Sequence, residues 1–238
     1  MIIIIGRGHA GTRSIAQTLF ASNVYMGNLL NNSADLVPPD KLYEACKIFG
    51  KKVKYIGDYK WDFKNTYEDD IPEKFIELIK EYLDPVIKSK NPNKGWKIPE
   101  TTLIYPWIYQ MFPNAKYIFW VRHPFDAILG EHLTDGLGWF EVSTPTAGNI
   151  FQKRAISWLY HFRIQQQLPK PEHSIEIRFE DFITNQGLIL EKLEKFLGIK
   201  LAQIPMRAES ISKWKGKINV NEFKYLFDAM DYYHYEYQ

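Results

Sequence analysis

Cysteine is nearly absent from this chain. The one thiol, Cys46, excludes an intrachain disulfide and any metal site built from several cysteines, and its plain reading is a small buried apolar residue. Net charge is also close to nil: 30 basic and 28 acidic residues leave +2. That balance lacks the basic footprint of a nucleic-acid-binding protein, so any basic site has to be local. No apolar run approaches the length of a bilayer span, and the opening isoleucines are too few for a signal-peptide core. Internal repeats and low-complexity linkers are missing as well. The expectation is a cytoplasmic protein with no membrane partner, folded as a single domain over residues 1–238, whose 45% hydrophobic content suffices for a full core.

What is present is concentrated at the start. Four isoleucines, Ile2–Ile5, run straight into Gly6-Arg7-Gly8-His9-Ala10-Gly11-Thr12-Arg13-Ser14, and Ile15–Phe20 continues at helical spacing. A strand, a glycine-rich turn and a helix start bring backbone N–H groups and a helix N-terminus onto an anion. Gly6 and Gly11 have the spacing of a Walker A loop, but Thr12 stands where its lysine belongs. That lysine clamps the β- and γ-phosphates of ATP. Arg7, His9 and Arg13 supply positive charge instead, and Thr12 and Ser14 supply hydroxyls. An anionic ligand with no obligatory metal fits this set. A dinucleotide turn is the other reading of Gly6, Gly8 and Gly11. It lacks a second strand ending in an acid about twenty residues on; Asp35 lies near that distance but in a loop-like sequence.

Short apolar runs at Ile2–Ile5, Val53–Gly57, Gly95–Ile98, Tyr117–Val121 and Ser174–Phe179 read as strands. Helical patterns fall between them, at 71–90, 150–167 and 186–197, with Gly198 as a C-cap and a further helix over 101–111. Alternation of this kind predicts an α/β three-layer sandwich: a central, mostly parallel sheet of about five strands, with helices on both faces. A second basic segment, Arg122-His123-Pro124-Phe125-Asp126, stands at the carboxyl end of a buried strand, where open α/β sheets bind ligands. Arg122 suits a phosphate, or an ion pair with Asp126 or Glu131.

Taken together, these two segments resemble the sulfotransferases that use PAPS (3′-phosphoadenosine 5′-phosphosulfate). Further stretches agree: Gly95-Trp96-Lys97-Ile98-Pro99, Ile177-Arg178-Phe179-Glu180-Asp181-Phe182, Phe196-Leu197-Gly198 and Ser210–Gly216. The resemblance implies a P-loop-like fold, PAPS as donor, adenosine 3′,5′-bisphosphate as product and no metal requirement. It assigns the 5′-phosphosulfate to Arg7, Gly8, His9, Ala10, Gly11, Thr12, Arg13 and Ser14, and the 3′-phosphate to Arg122. Lys213, Trp214 and Lys215 would close over the nucleotide, with Trp214 stacking on adenine. Two positions depart from the family pattern. His9 replaces a Lys or Arg, and Gly130 stands where a helix serine is expected, so Ser14, Lys213 or Lys215 would have to compensate.

The reaction so implied is in-line sulfuryl transfer to a hydroxyl or amine of a small-molecule or glycan acceptor. Charge building on the departing bridging oxygen would be met by Arg7, His9, Arg13 and the loop N–H groups, with Lys97 as a further donor. Asp35, then Glu100, then His132 are the candidate general bases, and His9 is a fourth. Each has a plainer reading: a loop turn for Asp35, a helix cap for Glu100, a helix-borne residue for His132. The acceptor pocket is expected from residues 28–91 and from the 134–149 loop, which contains Trp139 and Phe140. Competing readings are a metal-dependent nucleotide kinase with a degenerate P-loop and a non-catalytic nucleotide-binding relative. Oligomeric state is not legible.

Overall fold

The structure is a computed structural model that describes residues 1–237. Its centre is β1 (Ile2–Ile5), four buried β-branched residues whose side chains alternate between faces. The chain continues through α1 (Thr12–Ala21) and α2 (Asp40–Gly50) to a small hairpin of β2 (Lys54–Gly57) and β3 (Lys60–Asp62). The short α3 (Asn65–Glu68), α4 (Glu73–Tyr82) and α5 (Asp84–Lys88) lead to β4 (Gly95–Lys97). Then come α6 (Tyr105–Met111), β5 (Lys116–Val121), α7 (Pro124–Ala127), α8 (Ile150–Gln166) and β6 (Ser174–Arg178). The carboxyl part holds α9 (Phe179–Thr184), α10 (Gln186–Leu197) and α11 (Phe227–Tyr232). Among these residues no helix is long and apolar enough to cross a membrane.

The central sheet is parallel, in the order β4-β1-β5-β6. Ile3 pairs with Trp96 on one side and Tyr117 on the other. The alternation in β1 splits the interior into two cores. Ile3 and Ile5 join Trp96, Phe119 and residues of α2, α4, α6 and α8. Ile2 and Ile4 join Ile118, Trp120 and residues of α1, α9 and α10. This is the expected three-layer α/β architecture, since a parallel sheet buried on both faces needs apolar residues at every position.

Four local expectations need correcting. The run at 53–57 does form a strand, but outside the central sheet, which has four strands rather than five. Lys54 and Ile56 are exposed, so β2 cannot lie between two helical layers. Asp58 and Tyr59, both at positive φ, turn it back on β3. The pattern over 71–90 is two helices, because Pro85 has no N–H to give and its ring crowds the carbonyl four residues back. Pro106 acts the same way on 101–111, leaving a 3₁₀ turn over Pro99–Ile104 before α6. The helix after Arg122 stops at Ala127, so Gly130 is not helical. By contrast Gly198 caps α10 in the left-handed region, φ 74°.

The larger core depends on aromatic contacts between helices. Phe75 of α4 meets Trp107 of α6 edge-on, with ring centroids 4.6 Å apart and no exposed surface. Phe75→Ala should lower the free energy of unfolding by about 3–5 kcal/mol, read from urea denaturation.

Candidate active site

The four parallel strands release the chain at one edge, and the segments leaving them converge there. The glycine loop follows β1, Pro99 follows β4, Arg122 follows β5 and Phe179 follows β6. They wall a pocket of about 300 Å³ together with Arg13 and Ser14 of α1, Ser33, Asp35, Lys97 and His132. This is the carboxyl edge of the sheet, the place where open α/β folds collect ligands.

The loop is shaped by close packing. Gly6 N–H donates to Thr102 Oγ1 at 2.9 Å, and Trp120 Nε1 donates to the Ala10 carbonyl at 3.0 Å. Gly11 adopts φ 81° at the N-cap of α1, and a Cβ there would overlap the Phe179 ring. No side chain caps this helix, so its first N–H groups are left to the pocket wall formed by Gly11, Thr12 and Arg13. That is anion-binding chemistry. Gly8, His9 and Ser14 share the wall, whereas Ala10 lies beneath it, buried.

Arg7 is not on that wall. It is 3% exposed and ion-paired with buried Asp135, and it donates to the Gly8 carbonyl at 2.8 Å. Burial pulls its pKa down, and Asp135 pushes it back up. The expected phosphate ligand is therefore an internal brace of the loop. An arginine flanked by two small glycines can turn inward as easily as outward, and only the distant Asp135 decides which.

Arg122 does reach the pocket. Its guanidinium donates to the His9 carbonyl at 2.9 Å and to the Ser210 carbonyl, and lies 4.8 Å over the Phe179 ring. Asp126 does not pair with it. That carboxylate accepts instead from Ser212 N–H at 2.7 Å and Trp214 N–H at 3.0 Å.

His9 and His132 interlock with two glycines. The His9 ring lies where a Cβ of Gly130 would be, and the His132 ring where a Cβ of Gly8 would be. His9 Nε2–H donates to the Glu131 carbonyl, and burial lowers its pKa, which favours the neutral ring. His132 Nδ1 accepts from Thr134 N–H at 3.2 Å, and burial with neighbouring cations pushes its pKa to about 3. The ring is neutral with its proton on Nε2, which makes it a poor base. It also caps a 3₁₀ turn over Leu133–Asp135 rather than sitting on a helix.

Asp35 and Lys97 form a buried ion pair on the wall, and Lys97 Nζ also donates to the Ser33 carbonyl at 2.6 Å. Burial lowers the Lys97 pKa, and Asp35 opposes that. Asp35 accepts from Asn31 Nδ2 at 3.0 Å as well. Glu100 is elsewhere: 2% exposed, behind Pro99, with Oε2 unpartnered among the described residues. Burial drives its pKa up to about 7.

A sequence comparison bears directly on this site, because a model of the Sulfotransferase family matches residues 2–203. The chain belongs to the sulfotransferase family. Similar solved structures include the sulfotransferase domain from the curacin biosynthetic pathway, at 15% identity and TM-score 0.63, covering 100% of this chain and 98% of that one. The sulfotransferase domain of the Synechococcus PCC 7002 olefin synthase gives 13% and 0.63, covering 100% and 95%. A sulfotransferase from Alicyclobacillus acidocaldarius gives 14% and 0.56, covering 99% and 96%. At such identities these three show a shared fold. No curated protein matches the sequence.

In this sulfotransferase the Lys213–Lys215 segment stands apart from the pocket. Trp214 is buried and stacks on His123, with centroids 5.1 Å apart, so its indole face is taken. Lys213 and Lys215 are exposed and off the wall. Ser210 is the part of that region that reaches the site, through its carbonyl on Arg122. Residues missed in the sequence are Asp135, which sets Arg7, and Ser33 and Phe179 on the wall. Phe179 is read from sequence as the last strand residue; its apolar run gives no sign of a role beside Gly11. Among the described residues no three His, Cys, Asp or Glu side chains gather as a metal site would require.

Glu100, buried off the pocket, gives the fold a pH signature. Its carboxyl holds a proton to about pH 7 when folded but ionises near 4.5 when unfolded. The folded state therefore binds the extra proton, and stability falls as pH rises through that window. Between pH 5 and 8 the wild-type chain should lose about 3 kcal/mol more unfolding free energy than Glu100→Gln, compared by denaturant titration at each pH.

Proposed function

We propose that this sulfotransferase moves a sulfuryl group from PAPS to a hydroxyl or amine of a small-molecule or glycan acceptor. The observation that carries the reading is a single pocket walled by both expected cradles, the open N-terminus of α1 and Arg122. Such a pocket fits a molecule with anions at two ends. Bound PAPS would bring an activated sulfuryl group and a leaving phosphate.

The protein's part is position and charge. Gly11, Thr12 and Arg13 N–H groups and the exposed Arg13 side chain hold the donor's sulfated end. The Arg122 donors not used by His9 and Ser210 hold its 3′-phosphate. Lys97 Nζ and the His132 Nε2–H face charge that grows on the leaving oxygen. Asp35, whose carboxylate is already oriented by Lys97 and Asn31, takes the acceptor's proton; a carboxylate has room for a third partner. Glu100, buried off the pocket, is a weaker candidate for that step. A separate cavity of about 420 Å³, running from Asp135 past Leu137 to Trp139, Lys153 and Ile156, would take the acceptor's body. Trp139 is 68% exposed there, a flat face suited to a sugar or an aromatic ring. A kinase would need a lysine at Thr12.

Calorimetric titration with adenosine 3′,5′-bisphosphate tests the donor site. Binding should persist in EDTA and exceed that of ATP with Mg²⁺, and Arg122→Ala should weaken it about 10–100-fold with the circular dichroism spectrum retained. Preference for the magnesium nucleotide would instead support a kinase. Asp35→Asn should lower kcat with labelled PAPS and an acceptor panel by about 10²–10⁴-fold, while bisphosphate affinity holds.

A further inference from the structure

Beneath the glycine loop lies a second cavity, of about 20 Å³, between Arg7, Trp120, Trp158 and His161. Two of these residues each carry a fully covered polar atom with no partner among the described residues: Arg7 Nε and His161 Nε2. Their chemistries are complementary. Nε of a guanidinium always bears a proton and can only donate. His161 Nδ1 donates to the Ser157 carbonyl at 2.7 Å, so the proton of the neutral ring is there and Nε2 offers a lone pair. Burial keeps this ring neutral at any ordinary pH. A donor and an acceptor are thus buried on the wall of one cavity. The space holds a single water and nothing larger, and the amide of Gln165 on the same wall completes the usual set of polar neighbours.

We propose that this cavity binds one water molecule that accepts from Arg7 Nε–H and donates to His161 Nε2, making His161 a positioning residue for the loop above. Arg7 is the loop's brace, through the Gly8 carbonyl and Asp135. The water fixes the remaining side of its guanidinium. Ser157, which holds His161 through its carbonyl, also reaches the turn that carries His132. Ser157 Oγ donates to the Thr134 carbonyl at 2.9 Å, and Thr134 N–H holds His132. Ser157 and His161, one turn apart on α8, therefore tie the glycine loop and the His132 turn to one helix face. The water site stands without the sulfuryl-transfer reading; its effect on ligand binding rests on it.

The test has two arms, both on the full chain. A high-resolution crystal structure should show an ordered water within hydrogen-bond distance of both atoms. A dry cavity, or direct contact between Arg7 and His161, overturns the site. In the second arm His161→Gln, which keeps an acceptor, and His161→Leu, which removes it, are titrated with adenosine 3′,5′-bisphosphate alongside thermal unfolding. His161→Leu should bind about tenfold more weakly and His161→Gln within about twofold of wild type. Equal affinity in all three, or equal weakening in both variants, overturns the positioning role. Absence of binding by the wild type would count against the donor reading and leave the crystallographic arm to decide the water.

Discussion

A buried ion pair governs this site. Arg7 sits at the first turn after the central strand, yet its guanidinium points down to Asp135 rather than out to solvent. Two charges removed from water are costly unless geometry and further hydrogen bonds compensate. Here the carbonyls of Gly8 and Ala127 take up part of the arginine, and His132 N–H donates to the second oxygen of Asp135. The pair joins the loop after β1 to the turn 128 residues on, which also carries His132. Removing Asp135 would leave the Arg7 guanidinium charged and buried beneath the pocket, with Arg154 close by. The loop's conformation is therefore bound to that of the turn.

The same logic organises the opposite wall. Lys97 ends β4 inside the protein, and its ammonium can stay there only because Asp35 and the Ser33 carbonyl meet it. One ion pair braces the loop from below and another closes the pocket at its side. Both place a cation at the carboxyl edge of a parallel sheet, beside the uncapped start of α1. These two cations are neutralised by their own carboxylates, so the net positive charge on the wall is that of Arg13 and Arg122. Groups held this way have little freedom to rearrange, which is the kind of preorganisation the proposed transfer would need.

Much of this was legible in the sequence. Ile2–Ile5 and Tyr117–Val121 declared buried parallel strands because such strands are apolar throughout, and Ser174–Phe179, which alternates polar and apolar residues, is the half-buried edge strand. The glycine turn and Arg122 declared the pocket because they come directly after two of them. What stayed hidden depends on long-range partners. Arg7 turns inward for an acid far along the chain, Trp214 spends its ring face on His123, and no periodicity reveals either. Pro85 and Pro106 carry a local signal that the longer apolar pattern masks. The strand at 53–57 has the right residues but lacks layers on both sides, and layering is a property of the whole fold.

The two histidines and two glycines of the pocket are packed as a reciprocal lock, each ring filling the space a side chain would need on the facing backbone. This couples position 9 to position 130 and position 8 to position 132. A side chain at 130 would have to displace the imidazole at 9, and one at 8 the imidazole at 132. What is tolerated at one member of each pair is therefore conditional on the residue at the other.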